Sequence, residues 1–297
     1  MCSFFSNSLI EYRKEQSLTQ NELLTVIQSK SNLFTRLDTV TISRWEHCLT
    51  TPALIKRIEI LLMLNVNFDS ILLNLIPQTN SIIKYNCLTT DLYLPPNLEY
   101  QLFKITSKNT NSISKHINEI KLISYFEKKS YMNTFFASDV KSLQELFKKL
   151  NLEIWLYKAG EELIGHAIFM KLASQAHWEF LNNQDLKTDL AWVSYEKNVD
   201  NILLLAVDCS TDKVFKHLFS NLMYIFLLSE DKESHFSCTS NNKLVKKTLK
   251  TLGFCSYKKG KVSGISNYDA FRTKPILEVA RNAIDFTLDN QFTQAIK

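Results

Sequence analysis

At 297 residues the chain has room for two domains, since one core usually serves roughly 100–200 residues. With only five glycines and five prolines, it excludes collagen-like, mucin-like and long disordered architectures, and no run of about 20 uncharged apolar residues offers a membrane span. The net charge of +5 is mild. Over residues 1–76 it vanishes, because Arg13, Lys14, Lys30, Arg36, Arg44, Lys56 and Arg57 balance Glu11, Glu15, Glu22, Asp38, Glu46, Glu59 and Asp69. Bulk charge therefore identifies no partner.

The start, Met1 to Phe5, has no basic segment ahead of its apolar residues, unlike a secretory leader, so a cytoplasmic protein is expected. Residues 5–15 carry Phe5, Leu9 and Tyr12 at helical spacing. Thr19 followed by Glu22 is a capping box, and Leu18 and Leu23 flank it as a hydrophobic staple, so a helix begins there. Residues 29–38 read as a loop. Asp38 or Thr39 caps a helix running from Thr39 to about His47. Thr51-Pro52 predicts an N-cap with proline in the first turn, ahead of an apolar stripe of Leu54, Ile58, Leu61 and Leu62. Phe68 to Leu75 reads as a short helix ended by Pro77.

A polar segment, 77–96, closes on Pro95-Pro96 and is expected to be a linker. Beyond it, Leu98 to Ile105 alternates as a strand does, and residues 113–126 and 139–150 look helical. Leu152 to Tyr157 and Leu163 to Phe169 flank Lys158-Ala159-Gly160-Glu161-Glu162 as a hairpin. Ile202 to Val207 is apolar throughout, as suits a strand buried on both faces. A helix through Phe215 to Met223, a strand from Ser234 to Cys238 and a helix from Leu244 to Leu252, stopped by Gly253, follow. Strands alternating with helices make this an α/β or α+β domain. The six cysteines (Cys2, Cys48, Cys87, Cys209, Cys238 and Cys255) are scattered, which predicts reduced thiols. No Cys or His pair has zinc-ligand spacing, so no metal is expected.

Three segments taken together resemble the XRE-type helix-turn-helix family, the fold of the lambda repressor and Cro. They are Leu18-Thr19-Gln20-Asn21-Glu22-Leu23, then Val40-Thr41-Ile42-Ser43-Arg44-Trp45-Glu46-His47, then Thr51-Pro52. The resemblance implies that the second helix of the motif lies in a DNA major groove with its first residues at base edges. Those residues are Thr39, Val40, Thr41, Ser43 and Arg44. Hydroxyls suit bases or phosphates, a Val or Thr methyl suits a thymine methyl, and Arg44 suits guanine. Gln20 is expected at a phosphate, and Lys30 and Arg36, in a connection several residues longer than the family's usual turn, at others. Ile42 and Trp45 are expected in the core. Arg13 with Glu46 is expected as a structural ion pair.

Residues 97–272 resemble the GNAT acetyltransferase fold, a mixed sheet with flanking helices. The carriers are Ile164-Gly165-His166-Ala167 in the hairpin, the strand Ile202 to Val207 with the helix after it, and Asn242 to Phe254. Here the family's glycine-rich pyrophosphate turn would be Asp208 to Lys216, which has no glycine and brings Asp208 and Asp212 to the phosphates. The family's tyrosine acid would fall at Leu249. No cofactor and no catalytic residue is therefore expected, with acetyl-CoA the one cofactor the resemblance allows. His166, His177 and His217 receive no role.

The fold expected is thus multidomain. An all-α helix-turn-helix domain spans 1–76, a linker 77–96, an α/β GNAT-like domain 97–272 and a helical tail 273–297. The expected function is sequence-specific transcription regulation by a bacterial or phage-related protein. The expected partner is double-stranded DNA at a palindromic operator, with the second domain serving homodimerisation or the sensing of a small-molecule or protein effector. The alternatives are a DNA-tethered N-acetyltransferase and an antitoxin-like protein-interaction module.

Overall fold

The computed structural model describes residues 3–78, 99–127, 139–183, 201–228, 234–238, 243–259, 262–266, 273–288 and 292–294. They fall in two units, Met1–Thr79 and Asn80–Lys297. Nearly all of the expected linker lies outside the described residues.

The first unit is helical: α1 (Phe4–Glu15), α2 (Gln20–Lys30), α3 (Thr39–Glu46), α4 (Leu54–Met63) and α5 (Phe68–Leu75). Its helix starts are set by short polar side chains. Thr19 and Glu22 form the capping box at α2, the Thr19 N–H donating to Glu22 Oε2 at 2.7 Å. Asp38 rather than Thr39 caps α3, accepting from the Thr41 N–H at 2.7 Å, and Asn67 caps α5. The Thr51-Pro52 expectation is corrected. Helix α4 starts at Leu54, its N-cap is Ala53, and no side chain caps it. Proline permits a helix start without fixing where it falls.

Helix ends in this unit use no glycine. At α1, α3 and α4 the chain reverses through Ser17, Cys48 and Asn65 at positive φ. Each places the next amide on a carbonyl five residues back: Leu18 on Arg13, Leu49 on Arg44 and Val66 on Leu61, at 2.8, 2.8 and 3.0 Å. This is the bonding of a Schellman stop. The core joins Phe5 and Leu9 of α1, Leu23 and Ile27 of α2, Ile42 and Trp45 of α3, Ile58 and Leu61 of α4, and Ile71 and Leu72 of α5. Fully burying each large apolar side chain is worth about 1.5–3 kcal/mol.

The second unit is an eight-stranded mixed sheet among the described residues, with helices on both faces. Its strands are β1 (Tyr100–Ile105), β2 (Leu152–Ala159), β3 (Glu162–Leu172), β4 (Asn201–Cys209), β5 (Phe236–Cys238), β6 (Cys255–Lys259), β7 (Val262–Ser266) and β8 (Phe292–Gln294). Their order across the sheet is β6-β7-β5-β4-β3-β2-β1-β8. Strands β1 to β4 are antiparallel neighbours, β4 and β5 are parallel, and β8 adds parallel to β1. The β4–β5 register runs from Ile202↔Phe236 to Leu204↔Cys238, and β4 continues to Cys209. Gly160, at φ 60°, opens the two-residue turn between Ala159 and Glu162, a place for glycine in a II′ hairpin.

Helices α6 (Ser112–Lys115), α7 (Ile117–Glu127), α8 (Val140–Leu150) and α9 (Ser174–Asn183) share one core with Ile154, Leu156, Ile168 and Met170 of the sheet. The pattern in the sequence did not foresee α9. Helix α10 (Asp212–Leu227) packs on β3 and β4 and on α12 (Lys274–Leu288), while α11 (Lys243–Thr251) packs on β7. The helix expected after residue 272 is α12, and it belongs to the core of the second unit. Ile276, Leu277, Val279 and Ala280 of α12 are buried, and β8 is part of the sheet.

Among the described residues no helix is long and apolar enough to cross a membrane. No metal-binding group of His, Cys, Asp or Glu occurs among them, and Cys48, Cys209, Cys238 and Cys255 are in no disulfide.

Candidate functional sites

Helix α3 is pinned from behind. Ile42 is fully buried and Trp45 is 6% exposed, its ring edge-on to Phe5 at 5.8 Å. Glu46, 3% exposed, accepts from Arg13 through Nε at 2.6 Å and Nη2 at 3.1 Å, and from the Gln20 amide at 2.6 Å. One carboxylate thus ties α1 and the first residue of α2 to the last residue of α3. The hydrogen bond from Arg13 to that carboxylate also raises the pKa of the guanidinium above its ordinary value.

The residues expected at DNA divide into two groups. Val40 is 58% exposed and Arg44 is exposed, with Thr39, Thr41 and Ser43 half-exposed between them. The Thr41 hydroxyl and amide hold the Asp38 carboxyl below its ordinary range, which keeps the cap charged near neutrality. Arg36 is exposed on the connection before α3. Two placements differ from expectation. Gln20 directs its amide N–H to Glu46, so it serves the helix junction. The Lys30 ammonium donates to the Met63 carbonyl at 2.6 Å and closes the end of α4. A charged side chain beside a helix C-terminus finds unpaired carbonyls nearer than any ligand.

The long α2–α3 connection is ordered by contacts the sequence did not announce. Asn32–Phe34 forms a 3-10 turn with Phe34 3% exposed in the core. Gln28 Nε2 donates to the Leu37 carbonyl at 2.9 Å and to that of Thr35 at 3.3 Å.

In the second unit a cavity of about 400 Å³ opens where β3 begins and β4 ends. Leu122 and Ile123 of α7 with Leu163 and Ile164 of β3 give it an apolar wall, and His166 and Asp208 give it polar groups. His166 and Asp208 are register partners in the β3–β4 ladder, so their side chains leave the same face of the sheet. Asp208 Oδ1 accepts from the next amide, Cys209 N–H, at 2.9 Å. Gly165 is required by close approach: a Cβ there would stand 2.8 Å from Val214 Cγ1 and 3.3 Å from the Asp208 carbonyl oxygen.

Acetyl-CoA does not fit the residues at the start of α10. The Val214 N–H donates to Thr211 Oγ1 at 3.2 Å, so the cap is internal. Asp212 adds a carboxylate in the first turn, with Oδ1 buried and without a hydrogen-bond partner. A diphosphate there would meet negative charge where the helix needs to offer N–H donors. Leu249, at the expected tyrosine position, is fully buried.

Two of the histidines left without a role are structural. His217 Nδ1 lies 3.0 Å from the Tyr157 hydroxyl, and His177 Nε2 lies 2.9 Å from Ser237 Oγ. Burial pushes both imidazoles down to a pKa of about 3.

No family model and no curated relative matches the chain. Among solved structures it is similar to a GNAT-family acetyltransferase from Listeria monocytogenes 4b F2365, with 14% identity over 58% of this chain and 96% of that one and a TM-score of 0.34. It is also similar to a probable acetyltransferase from Staphylococcus epidermidis ATCC 12228, with 11% identity over 56% of this chain and 95% of that one and a TM-score of 0.34. A third is the aminoglycoside acetyltransferase AAC(6')-Ib in complex with coenzyme A, with 10% identity over 56% of this chain and 92% of that one and a TM-score of 0.30.

Proposed function

We propose that the chain is a sequence-specific transcription regulator that binds double-stranded DNA through an XRE-type helix-turn-helix in its first unit. The observation that carries this reading is the division of α3. Ile42, Trp45 and Glu46 anchor it from within, while Val40 and Arg44 stand exposed with three hydroxyl side chains half-exposed beside them. A rigid helix presenting a guanidinium, hydroxyls and an aliphatic methyl has what major-groove readout uses. Binding is proposed as a homodimer on a palindromic site. Selection of bound duplexes from random sequence tests it: the wild-type chain enriches a motif, and Thr41→Ala with Arg44→Ala erases or relaxes it. Enrichment of the same motif by the double variant would remove α3 from the groove.

For the second unit we propose a GNAT-like domain that senses a small effector in the β3–β4 cavity. The sheet order, with β7 between β5 and β6, and the parallel β4–β5 pair support the fold. The apolar wall with His166 and Asp208 supports a ligand site. Calorimetry with acetyl-CoA separates sensing from acetyl transfer. Micromolar binding with acyl transfer to an amine would replace the sensor reading by that of a DNA-tethered N-acetyltransferase.

A further inference from the structure

Charge in this chain is concentrated away from the unit proposed to read DNA. Residues 1–79 are neutral, whereas 234–268 hold seven lysines and no aspartate, glutamate or arginine. That stretch alone exceeds the +5 of the whole chain. Four of its lysines lie on α11 (Lys243, Lys246, Lys247 and Lys250), and two, Lys258 and Lys259, lie on β6, the edge strand beside β7.

The fold fixes the direction of the α11 charges. Val245 and Leu249 are buried at 1% and 0% exposure, and Leu252 and Phe254 follow them into the core. Lys247 and Lys250 are exposed and Lys246 half-exposed. Spacings of three and four residues put Lys246 and Lys247 beside Lys250 on the helix surface. Like charges at that spacing cost a few tenths of a kcal/mol per pair, and α11 contains no acid to offset them. Edge protection accounts for lysines on β6, but not for those on a helix.

We propose that the Lys246–Lys247–Lys250 face of α11 docks the phosphodiester backbone of duplex DNA. It supplies sequence-independent affinity to a chain whose first unit has a net charge of zero. This rests on the DNA-binding reading and adds a second contact surface to it. Because both units are on one chain, each raises the effective concentration of the other at the duplex. Base contacts alone give little affinity at physiological salt, and much of the binding energy of a regulator comes from the counterions its cations release.

The test uses the full chain and a labelled random-sequence duplex of about 30 base pairs, with anisotropy read across a salt series. Replacing Lys246, Lys247 and Lys250 by alanine is expected to weaken binding at least tenfold at low salt. The slope of log affinity against log salt is expected to fall by about 2–3, at about 0.9 per phosphate contact. Lys→Gln versions that keep the wild-type melting temperature guard against a folding effect. On a selected site the triple variant keeps the wild-type sequence preference, whereas Arg44→Ala loses preference and keeps the salt slope. If the wild-type chain shows no sequence preference but its duplex binding depends on the three lysines, the surface stands and the helix-turn-helix reading fails. An unchanged slope in the triple variant overturns the surface, as does a chain that binds phosphatidylserine vesicles through these lysines and no duplex.

Discussion

Arg13 and Glu46 form a two-point ion pair, Nε to Oε1 at 2.6 Å and Nη2 to Oε2 at 3.1 Å, with the carboxylate almost wholly buried. It holds the last residue of α3 against α1 while the Gln20 amide holds it against α2. Removing Glu46 leaves Arg13, whose side chain is 25% exposed, within reach of water, so the loss is chiefly that of the charge-assisted hydrogen bonds. Glu46→Ala is therefore expected to cost about 1.5–3 kcal/mol of stability, measured by urea unfolding of the full chain. A loss under 1 kcal/mol would show that the pair is solvated in practice.

The two sides of α3 predict opposite phenotypes. Trp45→Ala removes a buried indole packed on Phe5 and should cost about 3–5 kcal/mol. Arg44→Ala, on the exposed side, should change stability by less than about 0.5 kcal/mol while weakening binding to a selected site by about 1–3 kcal/mol. Thermal melts and anisotropy on the same two variants check both halves.

Ser17 and Cys48 hold left-handed conformations that suit glycine. Ser17→Gly and Cys48→Gly should each stabilise the first unit by about 0.5–1 kcal/mol, by relieving the Cβ clash that L-residues suffer at positive φ. A destabilising result in both melts would mean that their side chains contribute more than the strain they impose.

Gly165→Ala places a methyl 2.8 Å from Val214 Cγ1, with the Asp208 carbonyl behind it. Overpacking of this kind costs about 1–3 kcal/mol. Val214→Ala in the same chain should recover part of the loss, and a double-mutant cycle measures the coupling.

His177 and His217 give the second unit a pH signature. Their folded pKa values are about 3 against 6.5 in the unfolded chain, so only the unfolded state takes up protons between those values. The stability of the neutral imidazoles is present above pH 6.5 and is lost as pH falls toward 3, by about 1.4 kcal/mol per pH unit for each histidine. His177→Gln should flatten the acid limb of a stability–pH curve by about half of that combined slope. An identical limb in the variant would show that His177 is protonated with little penalty.

What was legible in the sequence was local. Thr19 and Glu22 announce α2 because both hydrogen bonds lie within one turn. The apolar run from Ile202 announces β4 because only a strand covered on both faces tolerates it. Ile42 and Trp45 announce the inner side of α3 by their spacing. Distant partnerships left no such mark. Gln28 clamps the Leu37 carbonyl, Lys30 turns to Met63, and Gln20 turns to Glu46, each pairing residues that no periodicity links. Helix ends were hard to place because Ser17, Cys48 and Asn65 stand where glycine would mark a stop. The cavity at His166 and Asp208 follows from strand register, which a single strand's pattern does not disclose.

Among the described residues, the register Tyr100↔Phe292 makes the earliest strand of the sheet a neighbour of the latest. During synthesis the five-helix unit can finish folding on the ribosome while β1 waits, its outer edge bare, until residue 292 has emerged. Long-range closure of this kind is slow and leaves a strand open to wrong pairing in the meantime. Fragments cut before Phe292, or bulky fusions placed just after it, should give insoluble product even though all the described helices of the second unit have been made.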